Sequence, residues 1–241
     1  MEEYRISDAP ASMFYIHDFI TEEEERLVQQ SIPANRWISL SHRRLQAVPT
    51  RLTATNTLLA SPLPPWLTEP IINRFNDLSI FEGASHGVNH CLINEYPPGQ
   101  GIMPHEDGGA YHPIVATVSL TGSLVLDVTA KVGSLVLDED AVDGDRGQQV
   151  VPKSWRIFQE PRSLLVTMGA AYSDTLHGIA DVTRDVDLNE HTVANWDLLG
   201  DKRVIEANGG RSERITRISL TYRDVRKVSV VGSNLFGKVR T

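Results

Sequence analysis

His105, Asp107 and His177 combine two imidazoles with one carboxylate, a donor set suited to holding Fe(II) on one face of an octahedron. His105-Glu106-Asp107 places two donors at i and i+2, which on extended backbone point to the same side, and the distant His177 completes the face. Three coordination positions then stay free for a cosubstrate and O2. In Arg217-Ile218-Ser219-Leu220-Thr221-Tyr222-Arg223, strand alternation puts Arg217, Ser219, Thr221 and Arg223 on one face and Ile218, Leu220 and Tyr222 on the other. A polar face inside a small barrel needs a reason, and a dianion supplies one, because a planar guanidinium binds carboxylate bidentately. Asn94 and Tyr96, also two apart, can donate to carboxylate or keto oxygens. Each of these residues alone has a structural alternative: the chain has eight histidines, HxD by itself is a weak signal, and arginines pair readily with 31 acidic residues. The combination carries the reading.

The rest of the chain must position these groups. At 241 residues and 41% hydrophobic content it can bury one substantial core, and one domain is expected. The single cysteine, Cys91, excludes an intramolecular disulfide and fits a reducing compartment, the cytosol or nucleus. No apolar run reaches the roughly 20 residues of a membrane helix, and Met1-Glu2-Glu3-Tyr4 lacks the features of a secretory signal, so a soluble, unanchored protein is expected. The net charge of −8 argues against broad affinity for nucleic acid. That charge is uneven, however. Asp138, Glu139, Asp140, Asp143 and Asp145 cluster in one stretch. His42-Arg43-Arg44 with Arg51, and Arg223, Arg226, Lys227, Lys238 and Arg240, are basic, with a solvated surface as the plain alternative.

Thr21-Glu22-Glu23-Glu24 predicts a capping box opening a short helix toward Pro33, and Pro64-Pro65-Trp66 through Leu78 predicts a second helix. Ser39 to Thr57, between them, reads as a loop or hairpin. From Val88 onward the chain turns to short β-rich runs: Asn89 to Tyr96, a strand through Met103-Pro104, Ile114 to Leu120, Ser123 to Val128, Ser154 to Gln159, Ser163 to Met168 and Arg214 to Tyr222. Strands at this spacing favour a sandwich, jelly roll or barrel over an alternating βαβ sheet. Ala130 to Lys153 and Asp181 to Ser212 break the rhythm as acidic, Gly/Asp/Asn-bearing stretches expected to be surface loops.

Asn94-x-Tyr96, His105-x-Asp107, His177 and Arg217-x-Ser219-x-Thr221-x-Arg223, in that order, resemble the AlkB family of Fe(II)- and 2-oxoglutarate-dependent dioxygenases. Tyr15-Ile16-His17-Asp18-Phe19-Ile20, Leu63-Pro64-Pro65-Trp66-Leu67, Gly101-Ile102-Met103-Pro104-His105-Glu106-Asp107-Gly108 and Glu160-Pro161-Arg162-Ser163-Leu164-Leu165-Val166 resemble its homologue 6 subfamily. The likeness runs from about Tyr4 to Arg226. It implies a mainly β fold with flanking α-helices and a double-stranded β-helix, or distorted jelly-roll, core. The implied layout is a helical and lid region over 1–87, a core over 88–226 with insertions near 130–153 and 181–212, and a basic tail over 227–241.

Carried over by position, His105, Asp107 and His177 would hold Fe(II), and Arg217 would bind the distal carboxylate of 2-oxoglutarate. Asn94 and Tyr96 would contact the cosubstrate, with Arg223 near cosubstrate and substrate mouth. Ser219 stands where bacterial members carry asparagine, and the stretch from His177 to Arg217 is longer than in compact members. The resemblance implies O2-dependent oxidative demethylation or dealkylation, in relatives usually of an alkylated DNA or RNA base taken out of its strand. Trp37, His42, Arg43, Arg44, Arg51, Tyr111 and His112 are then candidates for a stacking and basic lid. Two other readings keep the same residues: an oxygenase acting on a protein or small molecule, and a metal-binding jelly roll without turnover.

Overall fold

The computed structural model describes residues 1–132 and 152–230. Most of the 130–153 stretch, with its acidic cluster, and the end of the tail with Lys238 and Arg240 lie outside the described residues. In chain order the elements are β1 (Met13–Ile16), α1 (Glu22–Ser31), β2 (Ile38–Leu40), β3 (Arg43–Val48), β4 (Thr57–Leu59), α2 (Pro65–Thr68), α3 (Ile71–Asp77), β5 (His90–Tyr96), β6 (Ile102–His105), β7 (Tyr111–Leu120), β8 (Leu124–Ala130), β9 (Ser154–Gln159) and β10 (Leu164–Met168). After them come α4 (Gly169–Ser173), β11 (Thr175–Ile179), β12 (Arg184–Asp185), α5 (Lys202–Ala207), β13 (Ser212–Glu213), β14 (Arg217–Val225) and β15 (Lys227–Ser229).

Alternation within β14 explains how the main layers form. Leu220 and Tyr222 are fully buried on one side, with Cys91, Ile93, Ala116 and Val118 from neighbouring strands, against Val28, Leu67, Ile71 and Phe75 of the three N-terminal helices. Tyr222 meets Phe75 edge-on at 5.2 Å and donates its hydroxyl to the Leu67 carbonyl at 3.0 Å. Truncating a buried aromatic such as Phe75 costs about 3–5 kcal/mol. The Thr21 capping box forms as predicted, and Glu24 also binds Arg74 through two 2.8 Å bonds, fastening α1 to α3.

β14 is central in a seven-stranded sheet of order β1-β10-β7-β14-β5-β3-β2. A four-stranded sheet, β6-β11-β8-β9, faces its polar side. Every pairing in these two sheets is antiparallel, and together they form the distorted jelly roll. Among the described residues, no helix is long and apolar enough to cross a membrane.

Two local outcomes differ from the sequence reading, over 64–78 and 181–212, and a third stretch takes one of its two expected forms. The helix expected across 64–78 is split into α2 and α3, because Pro70 lacks an N–H and holds Glu69 in extended conformation. Ser39 to Thr57, read as a loop or hairpin, holds most of the β2–β3 hairpin, which extends the large sheet beyond β5, and leads into β4, which pairs in parallel with β15 from the start of the tail.

The stretch 181–212 is more than surface loop. Leu188, Val193, Trp196, Leu199 and Ile205 are buried with Val125 and Phe158 of the small sheet. Asn195 completes that contact: its side chain accepts from the Phe158 N–H at 2.9 Å and donates to the Phe158 carbonyl at 2.8 Å, so an amide stands in for a neighbouring strand at the open edge of β9. Apolar residues spaced without a helix or strand period gave no sign of this packing.

Candidate metal and cosubstrate site

His105 ends β6 and His177 lies in the middle of β11, directly opposite it in the antiparallel register. Cross-strand partners carry their side chains on one face, so the imidazoles meet with ring centroids 4.4 Å apart. The two strands come this close because glycine flanks the contact. A Cβ on Gly178 would lie 3.0 Å from the Pro104 nitrogen, and one on Gly101 would lie 2.1 Å from the Ile179 carbonyl oxygen. Asp107 follows two residues beyond His105, and donor atoms of all three side chains lie within 4.8 Å of one another.

His105 Nδ1 is 2.9 Å from the Met103 carbonyl oxygen; with Nδ1–H donating there, Nε2 keeps its lone pair for a cation. Burial, with His105 and Arg223 nearby, pushes the His177 pKa down to about 4 against the opposing pull of Asp107, so at neutral pH His177 is an uncharged donor.

The opposite wall comes from the large sheet. β14 pairs with β5 through seven consecutive residues, Arg217 opposite Tyr96, Ser219 opposite Asn94 and Arg223 opposite His90. Asn94, Tyr96, Arg217, Ser219 and Arg223 line the same cavity of about 260 Å³ as His105, Asp107 and His177. Arg217 is 3% exposed, and its Nη2 donates to the Ser119 hydroxyl at 2.8 Å and to the Gln159 side-chain oxygen. Its Nε has no partner, and no carboxylate among the described residues pairs with it. Burial therefore pulls the Arg217 pKa down to about 10, although Tyr96 partly opposes this. An uncompensated buried guanidinium is unfavourable alone and well placed for a carboxylate ligand. This suits 2-oxoglutarate, just as the His-Asp-His donors suit a divalent iron. Arg223 pairs with Asp107 and lies 4.8 Å over the Tyr111 ring, so the second arginine reaches from the wall to the metal side.

The structure brings together the residues singled out as ligands and cosubstrate contacts, but it disperses the lid candidates. Arg43 and Tyr111 line the cavity, Arg43 donating from Nε to the Asn94 side-chain oxygen at 3.2 Å. Arg44 instead stacks over Trp37 at 4.6 Å and binds Glu95 through bonds of 2.6 and 2.7 Å. His42 faces Asp181 at 3.4 Å in solvent, and Arg51 and His112 are not in the cavity wall. Sequence reasoning passed over Thr117, Ser119, Gln159 and Tyr172. The first two continue the polar side of β7, whose other side carries the core residues Ala116 and Val118, so period-2 alternation signalled them. Tyr172 donates to the Gly108 carbonyl at 2.9 Å and steadies the loop behind Asp107.

Two histidines and a carboxylate at one edge of a jelly roll, facing a buried arginine with no counter-ion among the described residues, define a class of nonhaem iron oxygenases that consume a 2-oxo acid. The chain is 37% identical over 239 residues to "Probable RNA/DNA demethylase ALKBH6" of Danio rerio, across 98% of this chain and 94% of that protein. It is 28% identical over 227 residues to "tRNA (carboxymethyluridine(34)-5-O)-methyltransferase alkbh8" of Xenopus tropicalis, across 90% of this chain and 32% of that protein. Its fold aligns with the structure of OsALKBH1 at a TM-score of 0.52 and 15% identity, across 89% of this chain and 99% of the other. No protein-family model matches the sequence. The chain belongs to the AlkB family of Fe(II)- and 2-oxoglutarate-dependent dioxygenases, with its similarity to a homologue 6 protein running over nearly its whole length.

Proposed function

We propose that this dioxygenase oxidatively removes N-alkyl groups from nucleic-acid bases. His105, Asp107 and His177 hold Fe(II), Arg217 binds the distal carboxylate of 2-oxoglutarate, and Asn94 and Tyr96 offer donors to its oxygens. Arg223 orients Asp107 from across the cavity, and Ser219 lines the wall beside Asn94. The observation that carries this reading is the uncompensated Arg217 guanidinium on the opposite side of the cavity from the three metal donors. Three arginines, Arg43, Arg217 and Arg223, line that cavity with two carboxylates, Glu106 and Asp107, so a bound divalent metal leaves an excess of positive charge that a dianionic cosubstrate reduces.

Bound Fe(II) supplies O2 activation coupled to the conversion of 2-oxoglutarate to succinate and CO2. The chain's own groups bind, orient and exclude water. Neutral His177 needs no proton loss before it can donate, and the side chains of Arg217, Ser219 and Asn94 on rigid paired strands fix the dicarboxylate. When the oxidised carbon is an N-methyl, one oxygen atom of O2 becomes the hydroxyl of an N-hydroxymethyl group, which releases formaldehyde and leaves the amine. The other oxygen atom enters succinate. The similarity to the Danio rerio protein supports the choice of substrate, and the lone, buried Cys91 thiol suits action in cytosol or nucleus.

The test is incubation of the Fe(II)-loaded protein with 2-oxoglutarate, O2 and a panel of N-methylated DNA and RNA oligonucleotides. Formaldehyde release matched by succinate is the expected result. Succinate formation with no formaldehyde from any oligonucleotide would sink the nucleic-acid assignment. A second reading, oxidation of a protein or small molecule, draws on the net charge of −8 and on Arg44 at the hairpin being already engaged by Glu95. Strong, salt-sensitive binding of RNA or DNA would count against it.

A further inference from the structure

We infer that Gln159 and Ser119 are positioning residues for Arg217, and that the neutrality of Gln159 keeps the cosubstrate subsite available to a dianion. This rests on the 2-oxoglutarate reading of the cavity and adds the device that makes it selective for an anion. Gln159 is 2% exposed at the end of β9 in the small sheet, and Ser119 is fully buried on β7 in the large one. The Ser119 hydroxyl donates to the Gln159 side-chain oxygen at 3.0 Å, and Arg217 Nη2 donates to both. The guanidinium is thus anchored from both sheets at one nitrogen, which fixes its plane and leaves Nε without a partner.

Both anchors are uncharged, so they orient Arg217 without cancelling its charge. The neighbouring carboxylates are engaged elsewhere. Glu160, next to Gln159, is turned to the opposite side of the strand and accepts from the Tyr15 hydroxyl at 2.8 Å and from the backbone N–H groups of Gly200 and Asp201 at 3.1 and 2.8 Å. Asp185 is bound to Arg214, and Asp107 to Arg223. A carboxylate at position 159 would pair with Arg217 internally and take the place of the ligand.

Gln159→Glu tests this directly, by thermal melting of the protein alone and with 2-oxoglutarate plus Mn(II), and by steady-state kinetics. Wild type melts at a higher temperature when 2-oxoglutarate is added with Mn(II). Gln159→Glu alone melts above wild type alone, loses most of that ligand-induced rise, and shows a KM for 2-oxoglutarate raised by about 30-fold or more. Equal ligand-induced rises in wild type and Gln159→Glu would overturn the inference while leaving the cosubstrate reading intact. A wild type that 2-oxoglutarate does not stabilise would overturn both. If Gln159→Glu does not fold, Gln159→Leu decides the matter by removing the acceptor without adding charge. Its KM for 2-oxoglutarate then rises about 5- to 10-fold with kcat within about 2-fold, and an unchanged KM refutes the positioning role.

Discussion

The large-sheet wall and the small-sheet edge face one cavity but are built to different tolerances. On the wall, Asn94, Arg217, Ser219 and Arg223 are buried and held by an unbroken seven-residue register between β14 and β5. At the edge, His105, Asp107 and His177 are only partly buried, and the β6–β11 register shifts just beyond His177. In the function proposed above, the wall holds the distal carboxylate of a dianion, which requires several donors fixed at once. The edge needs three donors converging on a point, and a short strand pair beside a loop can adjust around it. Arg223 joins the two by reaching from the wall to Asp107.

This contrast can be broken most sharply at the edge. His105→Ala should lower 2-oxoglutarate conversion by about 1,000-fold or more, followed as succinate, while shifting the melting temperature little, because the histidine sits at a partly exposed strand end. A large stability loss would show that the edge is structural. For the wall, His90 gives a pH test. Burial and the nearby Arg223 hold its pKa at about 4, below its ordinary 6.5. The unfolded chain therefore takes up this proton first as pH falls, and stability is lost between pH 6.5 and 4, by up to about 3 kcal/mol. Urea unfolding at pH 7.5 and 4.5 should show a smaller acid loss in His90→Gln than in wild type; equal losses would contradict the assignment. Arg217→Ala should raise the KM for 2-oxoglutarate by about 100-fold, measured from initial rates, with Arg217→Lys recovering only part because one ammonium cannot reproduce the fork. The smallest effect belongs to the hairpin. Arg43→Ala should change 2-oxoglutarate affinity by no more than about 5-fold, through the lost hydrogen bond to Asn94. A larger change would make the hairpin part of the cosubstrate wall.

Much of this contrast was legible in residue order. The polar and apolar alternation of Arg217 to Arg223 marked a strand with a polar interior face, and the structure puts that face in the cavity with Tyr222 and Leu220 in the core behind it. The capping box at Thr21 formed because its bonds span only three residues. The lid candidates were less legible, because a run of basic residues does not say which of them already has a partner: Arg44 is spent on Glu95, whereas Arg43 reaches the cavity. Gln159 gave no signal, since its role exists only where β9 of one sheet meets β7 and β14 of the other.

The sequence by itself determined the donor types, the strand faces and the family, because side-chain chemistry and period-2 alternation are local properties. Tertiary structure alone decided that His177 stands opposite His105, that Arg217 has no counter-ion among the described residues, and that 181–212 buries Trp196 beneath the small sheet. Alternation states which face a residue occupies and never which strand will lie beside it, and that pairing is settled only when both sheets bury their common core.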